Sequence, residues 1–174
     1  MRQSGLNATM DSTSTVAPNR DSDLDNGVIA HEYGHGVSNR LTGGPATTSC
    51  LSNAEQMGEG WSDWMGLFLN ASASDTRTTL RTTGGYVNFD GPLGIGIRRF
   101  PYTTDNGVNP LDYGDVADPA NTQPHGIGTI WATMLWEMYW NLVDQMVYDP
   151  DIYNGAGGNN IAFQLSIDGM KLQP

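Results

Sequence analysis

The chain has 174 residues, 38% of them hydrophobic and 22 of them glycine, enough apolar matter for one domain with a core and extensive loops. A formal net charge of −11 and a pI near 4.3 exclude nucleic acid as a partner, because phosphate binding needs a basic face, and they suit an exported protein. A single cysteine, Cys50, excludes an internal disulfide, and no run of about 18 apolar residues is available to span a membrane.

The N-terminus, Met1-Arg2-Gln3-Ser4-Gly5-Leu6, lacks the apolar stretch of a signal peptide, so an export signal is expected upstream of it. Residues 1–20 are polar and read as an arm, with at most a short strand over 3–10 before Pro18 and Asn19. The run Asp21-Ser22-Asp23-Leu24-Asp25-Asn26-Gly27 nearly matches an EF-hand loop and puts Glu32 at its twelfth position, but Asn26 stands where the turn glycine belongs. Two readings are open there. The acidic residues hold a calcium ion, or Asp25 or Asn26 caps a helix.

That first helix is expected over 28–41, with Ile29, Tyr33, Val37 and Leu41 as its apolar stripe. Gly34 and Gly36 each weaken it by about 1 kcal/mol, which predicts close packing against another element. Thr42-Gly43-Gly44-Pro45 ends it, and a Ser/Thr loop with Cys50 follows. The helix carries His31-Glu32-Tyr33-Gly34-His35. Residues four apart share a face about 5–6 Å apart at Cβ, so both imidazoles can address one metal ion, with Glu32 beside them to act on a water. This is the H-E-x-x-H pattern of zinc hydrolases.

A second helix is expected from about residue 53, carrying Gly58-Glu59-Gly60-Trp61-Ser62-Asp63-Trp64. A catalytic zinc usually has three protein ligands, and Glu59, flanked by glycines that permit close approach, is the best third candidate. Asp63, one turn on, is spaced to hold the free ring nitrogen of a ligand histidine.

These strings resemble two nested groups. His31-Glu32-x-x-His35 followed by Glu59-x-x-Ser62-Asp63 is similar to the gluzincin arrangement of thermolysin-like peptidases. Asp25-Asn26-Gly27, His31 through Gly44, and Met57-Gly58-Glu59-Gly60-Trp61-Ser62-Asp63 resemble the fungalysin family of secreted zinc endopeptidases made with a propeptide. The resemblance implies His31, His35 and Glu59 as metal ligands, Glu32 as the base and Asp63 as the support of a ligand.

Residues 71–124 show little periodicity and read as loop. Within them Arg98-Arg99-Phe100-Pro101-Tyr102 and Asn109-Pro110-Leu111-Asp112-Tyr113 also resemble fungalysin segments. One of Arg98 and Arg99 is a candidate to hold a substrate carbonyl, the alternative for either being a surface ion pair. In the third helix Ile127, Ile130, Trp131, Met134, Leu135, Met138 and Leu142 recur at steps of three and four, so this helix should be largely buried. His125 opens it. The string His125-Gly126-Ile127-Gly128-Thr129-Ile130-Trp131-Ala132 resembles the one that carries the fungalysin transition-state histidine, with Asp118 or Asn121 available to orient it. A Gly/Asn turn over 154–160 leads to a last helix near 161–172. The resemblance covers 21–174 and stops short of a cysteine that usually follows in relatives, which would explain an unpaired Cys50.

The expected architecture is mainly α: an N-terminal arm over 1–20, then a helical lobe over 21–174. The resemblance makes it the C-terminal lobe of a thermolysin-like catalytic domain, with a preceding sheet lobe and a propeptide as partners in the full-length protein. The expected function is a secreted zinc endopeptidase acting on protein or peptide substrates. Its rivals are another H-E-x-x-H hydrolase with a different third ligand, and a non-catalytic module holding calcium.

Overall fold

The computed structural model describes residues 19–53, 57–90 and 94–173, so the expected arm, apart from 19–20, and the strand expected over 3–10 lie outside the described residues. Helix α1 (Asn26–Leu41) begins where Asp25, in an extended conformation, turns one carboxylate oxygen onto the free amides of Gly27 (2.9 Å) and Val28 (3.2 Å). Its other oxygen accepts from the amides of Tyr86 (3.0 Å) and Val87 (3.4 Å), tying a distant loop to the start of the helix. Asp25, not Asn26, is therefore the cap. With four N–H donors on its two oxygens, this buried carboxylate needs no cation to be satisfied. Asp21 caps a short 3-10 turn over Ser22–Leu24 in the same way.

The buried face of α1 is not the expected stripe. Ile29 is 48% exposed and Tyr33 73%, and Val37 and Leu41 are only partly covered. The buried residues are Ala30, His31, Gly34 and Ser38. Ala30, Gly34 and Ser38 are four apart, and all are small. A Cβ added to Gly34 would lie 2.9 Å from the Cα of Ser62, so α1 packs backbone to backbone rather than through large side chains. Gly36 does no such work, since a Cβ there would meet nothing nearer than the Arg40 guanidinium at 3.8 Å.

The partner is α2 (Gly58–Asn70), buried without interruption from Gly60 to Phe68. It sits between α1 and α3 (His125–Met146), and α3 packs in turn on α4 (Gly158–Leu172). The core lies at the α2–α3–α4 junction. Trp136 stacks on Tyr139 with centroids 4.7 Å apart, Trp64 meets Tyr139 edge-on at 5.8 Å, and Phe68 stacks on Phe163 of α4 at 4.1 Å. Helix α3 is largely buried, as its pattern predicts, but on more than one side: Ala132, Trp136, Tyr139, Trp140 and Val143 are in the core, whereas Met134 is exposed. A helix with two packing partners shows no single stripe.

The described residues between 71 and 124 are irregular, apart from a 3-10 turn over Tyr113–Ala117. Arg81 and Tyr102 form an isolated antiparallel bridge, with N–H to O distances of 2.9 and 2.7 Å. The described residues contain four α-helices and no strand, the mainly α architecture expected. None of these helices is long and apolar enough to cross a membrane.

Candidate metal centre

The close approach at Gly34 sets α1 against α2 with His31, His35 and Glu59 facing one another. Their ligand atoms all lie within 4.8 Å of one another, and they are the group of potential metal ligands gathered among the described residues. Nε2 of His31 is 3.3 Å from one Glu59 oxygen, and Nε2 of His35 is 3.6 Å from the other. Two ligands on a tetrahedral ion with bonds of about 2.0–2.1 Å stand about 3.3 Å apart, so the His31 contact is close to that length and the His35 contact, to the other Glu59 oxygen, is longer. The two rings are perpendicular, with centroids 4.8 Å apart, as fits separate corners of one polyhedron. These residues fit a metal ion.

Behind them lies Asp63, 1% exposed, one turn along α2 from Glu59. Nδ1–H of His31 donates to it at 2.7 Å, which turns Nε2 of the same ring toward Glu59. Arg98 donates to both Asp63 oxygens, from Nε at 2.6 Å and from Nη2 at 2.9 Å, and Nη2 also lies 3.3 Å from Glu59. The Tyr102 hydroxyl and Thr83 Oγ1 (3.3 Å) complete the set. Burial alone would raise the Asp63 pKa, but the hydrogen bonds of His31 and Arg98 hold it well below the usual carboxylate range. Burial likewise works against a charged His31, yet its hydrogen bonds to Asp63 and Glu59 prevail and raise it to about 9. In Glu59, burial is outweighed by the His31 hydrogen bond and the surrounding imidazoles, and the pKa is lowered. His35 is lowered, first by burial and then by the charge of His31.

The outer side is different. Glu32 is exposed on α1, near enough that its charge acts on His35. His125 opens α3 with its side chain 62% exposed and Nε2 3.4 Å from Glu59. A second glycine contact brings it there. A Cβ on Gly60 would fall 2.4 Å from the Gly128 carbonyl oxygen, and one on Gly128 would fall 2.5 Å from the Glu59 Cβ. Helices α2 and α3 can meet at this depth only because both residues lack a side chain.

The two arginines part ways: Arg98 turns inward onto Asp63 and Glu59, while Arg99 turns outward to Asp118 and Asn121, at 3.2 Å each. Asp118 and Asn121, expected to orient His125, thus face Arg99 instead. Thr83 joins the Asp63 cluster without any pattern in the sequence to mark it. Tyr102 too reaches Asp63 from an irregular segment that no periodic pattern marks.

The H-E-x-x-H helix α1 thus faces a glutamate of the next helix, the combination the sequence resemblance leads one to expect. The family model for fungalysin metallopeptidase (M36) matches residues 4–174, and the chain belongs to that family. It is 44% identical over 169 residues to extracellular metalloproteinase 2 of Trichophyton tonsurans, covering 92% of this chain and 26% of that protein. Extracellular metalloproteinase MEP of Fusarium vanettenii is 45% identical over 166 residues, covering 90% of this chain and 25% of that protein. A metalloproteinase of Aspergillus niger, also named extracellular, is 44% identical over 167 residues. The chain spans about a quarter of the length of these relatives.

Proposed function

We propose that this chain is the metal-binding lobe of a secreted zinc endopeptidase, with His31, His35 and Glu59 as the zinc ligands. The observation that carries this reading is the convergence of both imidazoles on Glu59, with the three ligand atoms within 4.8 Å of one another. Zinc in such a site lowers the pKa of a coordinated water toward about 7 and polarises a carbonyl. Glu32, exposed beside the ligands, takes the proton of the attacking water and hands it to the leaving amine. His125 donates to the oxygen on which charge develops, a contribution typically worth about 2.7–4 kcal/mol. Asp63 fixes the tautomer and direction of the His31 ring. Of the two arginines, Arg98 lies at the centre and is the one to hold a substrate carbonyl.

The substrates are proteins or peptides held by main-chain hydrogen bonds along a sheet edge. That sheet belongs to a preceding lobe, and a propeptide precedes the mature enzyme. Export follows from the reading of the relatives as extracellular proteins. Residues 21–174 therefore form a partial catalytic domain that binds zinc but is a poor peptidase alone.

Elemental analysis together with an unstructured protein substrate tests this. One zinc per chain is expected. In the full-length enzyme Glu32→Gln should keep the zinc and lose hydrolysis. Calcium in place of zinc, or loss of zinc on Glu32→Gln, would overturn the assignment. Equal turnover per zinc in this chain and in a longer one would remove the need for a second lobe.

A further inference from the structure

From Phe100 to Pro124 the chain carries Asp105, Asp112, Asp115 and Asp118 and no lysine or arginine. Three of these carboxylates are turned onto backbone amides of their own turns: Asp105 onto Gly107, Asp112 onto Gly114, and Asp115 onto Asp112. Asp118 divides its two oxygens. One accepts from the Ala120 amide at 2.9 Å, and the other takes Nη1 of Arg99 at 3.2 Å. The same Nη1 also donates to Oδ1 of Asn121. Asn121 is 5% exposed, and its own Nδ2 donates back to the Asp115 carbonyl at 3.0 Å. Arg99 thus joins both ends of the turn that runs into α3, and its guanidinium carbon lies 5.2 Å from the Phe100 ring, which limits its freedom.

The turn reaches His125 through backbone contact. A Cβ on Gly126 would lie 2.6 Å from the Asn121 carbonyl carbon and 2.7 Å from its Cα, so the residue after His125 rests directly on Asn121. The Gly126 amide also donates to the Thr122 carbonyl at 2.7 Å. A shift of Asn121 therefore moves the first residue of α3, whose ring is otherwise open to solvent.

We propose that Arg99 is a positioning residue for His125: by gripping Asp118 and Asn121 it fixes the turn that presents the imidazole to the metal centre. This rests on the reading of His125 as the donor to the developing charge. Arg98 and Arg99 then divide one task, the first holding the carboxylates behind the ligands and the second holding the turn in front of them.

A double-mutant cycle in the zinc-loaded full-length enzyme tests it. An exposed ion pair is a modest restraint, so Arg99→Ala should lower kcat by about three- to fivefold, with KM and zinc affinity unchanged. Arg99→Lys, which keeps the charge but not the fork, should recover part of that loss. In a His125→Ala background, Arg99→Ala should change nothing further, because a restraint on an absent ring has no effect. An equal loss in both backgrounds, or a fall in zinc affinity, would show a general structural role and overturn the proposal. If His125→Ala alone costs nothing, the reading of His125 fails and the proposal falls with it. If His125→Ala is costly and Arg99→Ala silent, only the proposal fails.

Discussion

On the inner side of the metal centre, Asp63 is buried and takes hydrogen bonds from His31, Thr83, Arg98 and Tyr102. On the outer side, His125 and Glu32 are exposed, and His125 touches the centre by one contact of 3.4 Å. One residue is over-determined and the other is almost free. On the proposed function, the difference follows from what each would have to do. A ligand ring has to stand in one place before the ion arrives, and a buried carboxylate with several donors leaves it no second rotamer. A group that acts on a changing substrate needs access, and only tightens when the substrate is present.

The strongest way to break the inner side is Asp63→Ala. It leaves the Arg98 charge buried without its partner, and should destabilise the metal-free chain by about 3–5 kcal/mol in urea unfolding. Replacing both, as Asp63→Leu with Arg98→Met, should cost much less; an equal cost would mean that the ion pair is not the source. Next in size is the ligand itself. Glu59→Ala should reduce zinc affinity by more than about 100-fold in chelator competition, exceeding what loss of a mere support costs. His125→Ala, on the open side, should leave that affinity unchanged although it also faces Glu59.

Third is the packing that brings the two sides together. Gly34→Ala drives a methyl group toward the Ser62 Cα and should cost about 1–3 kcal/mol, read as a lower urea midpoint. The fourth concerns protons. His31 is raised from its ordinary 6.5 to about 9, so its protonated form stabilises the metal-free chain fully below about 6.5, and that contribution is lost as pH rises through 9. Zinc needs the neutral ring, so its affinity should rise with pH by up to about tenfold per unit until about pH 9 and flatten above it. Calorimetry at pH 7.5 in buffers of different ionisation enthalpy should show a released proton; an uptake or none would contradict the raised value. Smallest of all, Tyr33→Ala on the exposed face of α1 should change the stability of this chain by less than about 0.5 kcal/mol.

The legibility of the sequence follows the same division. His31, Glu32, His35, Glu59 and Asp63 are readable because each pair is fixed by helical spacing, or by its place on the next helix. The packing of α1 departs from its apolar stripe for a physical reason. Apolar periodicity assumes that large side chains face inward, whereas here the small residues Ala30, Gly34 and Ser38 do, with Ile29 and Tyr33 outside. The sequence leaves the cap open between Asp25 and Asn26, and the loop over 86–87, whose amides also donate to Asp25, accounts for the choice. Thr83, Arg98 and Tyr102 reach Asp63 from an irregular segment, where no repeat marks which side chains turn inward. The outward turn of Asp118 and Asn121 toward Arg99 is equally non-local.

The contact of Gly60 with Gly128 has a consequence for engineering. The spacing of Glu59 and His125 is set by main chain touching main chain, so it does not depend on the sizes of the aromatic residues that fill the interior further along the same helices. Phe68, Trp136 or Tyr139 can be exchanged for side chains of similar volume to tune thermal tolerance while the Glu59–His125 spacing is kept. The two glycines are the positions a stabilisation campaign must leave alone, although helix propensity would mark both for replacement by alanine.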